Sequence, residues 1–291
     1  MNTNFRAAAG ALVCAAAFGL GAQGAQAKTL DIVIAGDSYS SGVGGGGYTT
    51  ECIRSPNAFG QQYAQRVRAT GVTVNVKNVA CGGAVVANLD EQIKSVTPET
   101  DLVVMTIGGN DVGFANIVVS CFLPAVSDPA RCKDTVDNAK AKVGGVQSAA
   151  LKRLDALKAR ARPGIKVVVA SYPYLANPGN YILRGLFNSY NAGAAARQIG
   201  DLGDQAVTGA AAQANAAAGY DLVTFAPSKD LFLGHEPNQD PYKENPNRWV
   251  HEVTGLLGPV DFYHPNPKGH AALAEAVWRV AGPDHTFGVA Q

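Results

Sequence analysis

Leu30-Asp31-Ile32-Val33-Ile34-Ala35-Gly36-Asp37-Ser38-Tyr39-Ser40-Ser41-Gly42 is an apolar run that breaks at a glycine into a polar elbow. The run has the length and β-branched content of a buried strand. In α/β proteins ligands bind just beyond the carboxyl ends of such strands. Ser38 at that elbow can be a nucleophile, a phosphate contact or a helix N-cap, and the rest of the chain has to decide which. The glycines at 44–47 suggest a phosphate loop. A Walker loop needs Lys-Ser/Thr after its last glycine, and Tyr48-Thr49 follows here, so that reading falls.

Outward from this segment, strand and helix patterns alternate. Residues 57–69 form a helical pattern with Phe59, Tyr63 and Val67 on one face. Val72-Thr73-Val74-Asn75-Val76 alternates as a strand and leads to Cys81-Gly82-Gly83. A short helix is expected around 88–95, then the apolar strand 101–107, which ends at Gly108-Gly109-Asn110-Asp111. A long helix over 133–162, a fourth strand at 165–170, helical alanine-rich sequence over much of 181–218 and a fifth strand at 220–225 follow. Residues 234–258 are polar and proline-rich, which is long for a structureless loop and marks a functional surface segment. A helix over 268–281 closes the pattern. Five strands alternating with helices imply a parallel sheet covered on both faces, a single three-layer α/β domain over 28–291. Three strand ends carry polar glycine elbows, and all three would lie along one edge of the sheet. That edge is where a site belongs.

Composition narrows the partners. The chain has 291 residues, 47% of them hydrophobic, with a formal charge of +1. Residues 1–27 carry Arg6 as their only charge, then an apolar run and an Ala25-Gln26-Ala27 cleavage pattern, and read as a removable secretory signal. The remainder is neutral overall and without a basic block, which argues against nucleic acid. No later stretch is apolar for the roughly 18–20 residues of a membrane span, so no stable membrane anchor is expected. Cys52, Cys81, Cys121 and Cys132 in an exported chain suggest two disulfides. Sequence alone allows three pairings. Cys52–Cys81 with Cys121–Cys132 is the simplest, closing two local loops that do not overlap. No C-x-x-C or H-x-x-x-H spacing supports a metal, so neither metal nor cofactor is expected.

Acyl transfer needs an activated hydroxyl, a base, a group that orients the base, and donors aimed at the developing oxyanion. Ser38 offers the hydroxyl. Among the five histidines, His264 lies in Asp261-Phe262-Tyr263-His264-Pro265-Asn266-Pro267, just before the last helix, where Asp261 could reach its Nδ1–H. Oxyanion donors could be the Ser38 N–H, the Gly83 N–H and the Asn110 amide. Asp37 and Asp111 read as turn-forming residues. Tyr172 and Tyr174 read as packing near the fourth strand end. His235, His251, His270 and His285 read as surface or satisfied polar residues.

Gly36-Asp37-Ser38-Tyr39-Ser40-Ser41-Gly42, Ala80-Cys81-Gly82-Gly83-Ala84, Gly108-Gly109-Asn110-Asp111 and Asp261-Phe262-Tyr263-His264-Pro265-Asn266 occur in that order. Together they resemble the four blocks of the SGNH, or GDSL-type, hydrolase superfamily of esterases and lipases. Cys52-Ile53-Arg54-Ser55-Pro56-Asn57-Ala58-Phe59 is further similar to its secreted actinobacterial branch. The resemblance implies a flavodoxin-like α/β/α fold with a central five-stranded parallel sheet and metal-independent serine chemistry. It also implies a Ser38, His264 and Asp261 triad, and an oxyanion hole from Ser38, Gly83 and Asn110. In some relatives a backbone carbonyl replaces the acid, so either Asp261 or a carbonyl could orient His264. The expected protein is a secreted monomeric esterase or lipase acting on carboxylic esters. A carbohydrate O-acetyl esterase and a non-catalytic binding protein are the alternatives.

Overall fold

The computed structural model describes residues 29–49, 52–123, 126–184, 188–237, 245–252 and 261–282. The segment that opens the chain's pattern is strand β1 (Thr29–Gly36), followed at once by a one-turn helix α1 (Ser38–Ser41). Helix α2 (Phe59–Arg68) and strand β2 (Thr73–Asn78) come next, then the short α3 (Leu89–Gln92) and strand β3 (Leu102–Thr106). Two four-residue helices, α4 (Gly109–Val112) and α5 (Phe114–Ile117), lead through a π-helical turn at Val118–Phe122 to the long α6 (Pro129–Arg160). Strand β4 (Lys166–Ala170), a hairpin of β5 (Tyr181–Arg184) and β6 (Asn188–Asn191), helix α7 (Ala192–Ala218), strand β7 (Val223–Ala226) and helix α8 (Pro267–Ala281) complete the described chain.

The main sheet has five parallel strands in the order β2-β1-β3-β4-β7. Alternation along β1 divides its side chains between two cores. Ile32 and Ile34 face α2 and α8, together with Phe59, Tyr63 and Leu273. Val33 and Ala35 face the other layer, where Leu154 and Leu157 of α6 and Ala211 of α7 pack. Burial on both faces explains why these strands read as continuous apolar runs. The chain leaves β1 toward β2 on one side and continues to β3 on the other, so the order switches between β1 and β3. That is the crevice where an open α/β sheet takes a ligand.

Local chemistry sets the helix boundaries. Asp128 accepts from the Arg131 N–H (3.0 Å) and Pro129 stands at the first position of α6. Asn266 caps α8 by accepting from the N–H groups of Lys268 (3.0 Å) and Gly269 (3.1 Å), with Pro267 behind it. Helix occupies most of 181–218, as expected, and the first part of that stretch forms strands. Tyr181-Ile182-Leu183 pairs with Ser189-Tyr190-Asn191 as an antiparallel hairpin, because Ile182 joins the buried cluster that holds Ala176 and Tyr263 and Asn191 is needed as the α7 N-cap. Of the three cysteine pairings, the structure contains Cys52–Cys81 and Cys121–Cys132. Among the described residues, no helix is long and apolar enough to cross a membrane. The expected signal segment and His285 lie outside the described residues, as do parts of the 234–258 loop.

Candidate active site at the switch point

The elbow after β1 is built by steric necessity. Gly36 has φ of 108°, and a Cβ there would stand 2.1 Å from the Thr106 carbonyl oxygen of β3. Without a side chain the two strands stay in register, with Gly36 opposite Thr106. The Gly36 backbone is held by Gln92, whose Oε1 accepts from its N–H (2.6 Å) and whose Nε2 donates to its carbonyl (2.9 Å). Asp37 then caps α1 by accepting from the Tyr39 N–H (3.1 Å). Its carboxylate also accepts from Thr106 Oγ1 (2.8 Å) and from the Tyr172 hydroxyl. Burial lifts its pKa to about 6 in spite of these donors. Asp37 is thus the bolt between β1, β3 and β4, and it sets the first turn on which Ser38 stands. Gly42, with φ of 99°, ends that turn.

Ser38 is 9% exposed, and its Oγ lies 2.7 Å from Nε2 of His264, a residue 226 positions away. The other ring nitrogen, Nδ1, lies 2.9 Å from the Phe262 carbonyl oxygen. A carbonyl can only accept, so Nδ1 carries the proton and Nε2 presents a lone pair to the serine hydroxyl. His264 is 7% exposed, with the Phe114 and Tyr39 rings at centroid distances of 5.4 and 5.1 Å. This apolar enclosure depresses its pKa to about 4, offset in part by the Phe262 carbonyl and the nearby charge of Asp261. The imidazole is therefore neutral and basic in form at neutral pH.

Of the two groups left open as partner of His264, the Phe262 carbonyl, and not the Asp261 carboxylate, stands at Nδ1. Tyr263 adopts φ of 56°, and the His264 N–H donates to the Asp261 carbonyl (3.0 Å), closing a tight turn. That turn brings the Phe262 carbonyl under the ring, while the Asp261 carboxylate accepts from the Tyr48 hydroxyl. Two residues fix the turn through three hydrogen bonds. Tyr39 donates to the Tyr263 carbonyl (2.5 Å), and His251 exchanges backbone bonds with His264 (2.9 Å) and Tyr263 (3.0 Å).

The other two glycine elbows converge on the same place. The Cys81 N–H donates to the Gly36 carbonyl (3.1 Å), and Asn110 Nδ2 donates to the Ala84 carbonyl (2.8 Å). Gly83 has φ of 79°, and a Cβ there would meet no atom within 4 Å, so its backbone borders open space. An amide has two N–H donors, and the bond to Ala84 uses one. Asp111 turns inward to accept from the Val86 N–H (3.0 and 3.2 Å), and Arg54 Nε donates to the Ala80 carbonyl (2.8 Å), both in bracing roles. A buried Ser–His pair at a sheet switch point, beside glycine and asparagine donors, can carry out acyl transfer.

Residues 34–272 match the family described as GDSL-like Lipase/Acylhydrolase. The chain belongs to that family. A lipase of Streptomyces rimosus is 34% identical over 251 residues, 84% of either chain. The crystal structure of the extracellular S. rimosus lipase superposes with a TM-score of 0.69 at 29% identity, covering 87% of this chain and 99% of that one. Phospholipase A1 from Streptomyces albidoflavus NA297 gives 0.69 at 30% identity, covering 86% and 98%. This GDSL-family protein is a carboxylic ester hydrolase of the lipase and esterase type with the SGNH α/β fold, and its substrate is an ester.

Within this GDSL-family site, sequence reading missed how much surrounds the Ser38–His264 pair. The Tyr172 hydroxyl is tied to Asp37, so that tyrosine is more than strand-end packing. Of the two readings of His270, surface or satisfied polar residue, burial leaves the second. It is fully buried in α8, donates from Nε2 to the Val43 carbonyl (3.0 Å), and burial lowers its pKa to about 4. Tyr48 follows a glycine run with no signal in its own residue type, and only its position beside Asp261 gives it a role. His235 stacks on Trp249 at 3.7 Å, with Nδ1 2.6 Å from the Asn247 carbonyl.

Proposed function

We propose that Ser38 is the nucleophile and His264 the base of a secreted ester hydrolase acting on acyl lipids or small acyl esters. The observation that carries this reading is the 2.7 Å approach of Ser38 Oγ to an imidazole whose Nδ1 is held by a carbonyl. His264 takes the Ser38 proton as Oγ attacks the ester carbonyl. The tetrahedral oxygen is received by the N–H groups of Ser38 and Gly83 and the Asn110 amide. His264 returns the proton to the leaving alcohol, and an acyl-enzyme remains. Water then attacks with His264 again as base. The Phe262 carbonyl, rather than Asp261, keeps the ring in the required tautomer, and Asp261 contributes charge at longer range. Residues 1–27 are the export signal, residues 28–291 one domain, the mature protein extracellular and monomeric. Two disulfides and the similarity to the extracellular lipase of S. rimosus support that location.

The test is a fluorophosphonate probe with Ser38→Ala and His264→Ala variants. Wild type is expected to be labelled at Ser38, and each variant to lose several orders of magnitude in kcat/KM on p-nitrophenyl butyrate. Wild-type rates in Ser38→Ala protein would sink the assignment. Mass spectrometry of protein from the culture medium is expected to begin at Lys28.

A further inference from the structure

On the sheet face opposite α2 and α8, a cavity of about 150 Å³ lies between β1, β3, β4 and the helix pair α6 and α7. Its lining is apolar for the most part, with Val103 and Val169 from the sheet, Val146 and Ala150 from α6, and Val207 from α7. An apolar cavity of about this size in another protein stays dry and takes up benzene. One lining position shows that the space is not forced by packing. Gly203 sits in the interior of α7, where glycine is a poor helix former, yet a Cβ there would meet nothing within 4 Å. No neighbour demands the missing side chain, and what its absence leaves is room.

The cavity ends one side-chain layer from the reacting pair. Tyr39, Gly108, Gly109, Phe114 and Tyr172 line it. Tyr39 follows Ser38, Gly109 precedes Asn110, and the Phe114 ring is 5.4 Å from His264. Phe114 is half-buried and opens the four-residue helix α5 directly after Gly113, whose φ is 96°. It thus lines the cavity and also stands beside His264, at the start of a short helix that follows a left-handed glycine.

We propose that this cavity is the acyl-chain pocket, entered when Phe114 turns aside, and that Gly203 and Ala150 set the chain length it accepts. This rests on the ester-hydrolase reading of Ser38 and His264 and names its substrate class as medium-chain acyl esters. By comparison with the benzene-filled cavity, it holds roughly the terminal six carbons of the chain. Each methylene moved from water into such a lining contributes roughly fourfold to transition-state binding.

Gly203→Leu and Ala150→Leu fill the cavity from opposite helices without touching Ser38 or His264, and leucine is a good helix former. For both variants, kcat/KM on p-nitrophenyl butyrate is expected to stay within about twofold, while that on p-nitrophenyl decanoate falls at least tenfold. Equal change on both esters, or none on either, overturns the proposal. A second measurement is independent of hydrolysis: calorimetric titration of Ser38→Ala protein with decanoic acid. One equivalent is expected to bind, and binding is expected to be lost when Gly203→Leu is added. No binding, or binding that Gly203→Leu leaves intact, overturns the pocket. A wild type inert on every ester would instead remove the hydrolase reading, and the calorimetry would still decide the cavity.

Discussion

Ser38 and His264 lie in a largely buried enclosure, and that burial governs what titrates and when. With its pKa near 4, His264 stays unprotonated down to acidic pH. The acid limb of kcat/KM is therefore expected to have its midpoint near pH 4, well below the 6.5 of free imidazole. A pH profile on p-nitrophenyl butyrate measures it, and a midpoint at 6–7 would show a solvated histidine. The group opposite Nδ1 makes a sharper test. When a carboxylate fixes the tautomer of a catalytic histidine, its conversion to an amide costs roughly 10⁴ in kcat, as the chymotrypsin-type triad shows. Here the Phe262 carbonyl holds Nδ1 and Asp261 bonds Tyr48. Asp261→Asn is thus expected to cost less than about tenfold in kcat, and a loss of thousands would restore Asp261 to the triad.

Among the elements, the most consequential is the joint between β1 and the loop that carries Gly83. The Cys52–Cys81 bond, the Cys81 N–H to Gly36 bond and the Gly82 N–H to Cys52 carbonyl bond (2.9 Å) clamp that loop to the turn that carries Ser38. The disulfide spans 29 residues, a loop whose closure removes on the order of 3–4 kcal/mol of unfolded-state entropy. A Cys52→Ser, Cys81→Ser double variant is expected to lose stability of about that size in urea unfolding. It is also expected to lose kcat, because Gly83 stands two residues from the released cysteine. Unchanged kcat would mean that the hydrogen bonds alone position the loop.

At the scale of the whole molecule, burial of ionisable groups makes stability depend on pH with a definite sign. His264 and His270 have native pKa values of about 4 against 6.5 for the free residue. Between pH 6.5 and 4 the unfolded chain takes up protons that the native state refuses, so stability is lost as pH falls, by about 3 kcal/mol for each histidine. Asp37 acts in the other direction. Its native pKa of about 6 exceeds the 3.8 of a free aspartate, so it favours the native state as pH falls from 6 to 4. Asp204, whose pKa burial also raises, acts the same way, so the loss carried by the two histidines on acidification is partly offset. His270→Gln keeps a donor for the Val43 carbonyl without a titrating ring. Its unfolding free energy is expected to fall less steeply from pH 6.5 to 4 than that of wild type, and an identical slope would mean that His270 is protonated in the native state.

The parallel sheet was legible in the sequence because strands buried on both faces must be continuous apolar runs. The four motif blocks were legible because nucleophile, donor and base chemistry demands particular residue types at strand ends. Local sequence also determined the caps, since Asp37, Asp128 and Asn266 act within a few residues of themselves. It did not determine the 181–191 hairpin, whose helix-compatible residues pair as strands because Ile182 finds a tertiary core. The partner of His264 Nδ1 was decided by the fold alone. Asp261 and Phe262 are both close enough in sequence, and the left-handed turn at Tyr263, fixed by Tyr39 from the far end of the chain, gives the site to a carbonyl. Residue types specify which reactions are available; only long-range packing specifies which atom stands next to which.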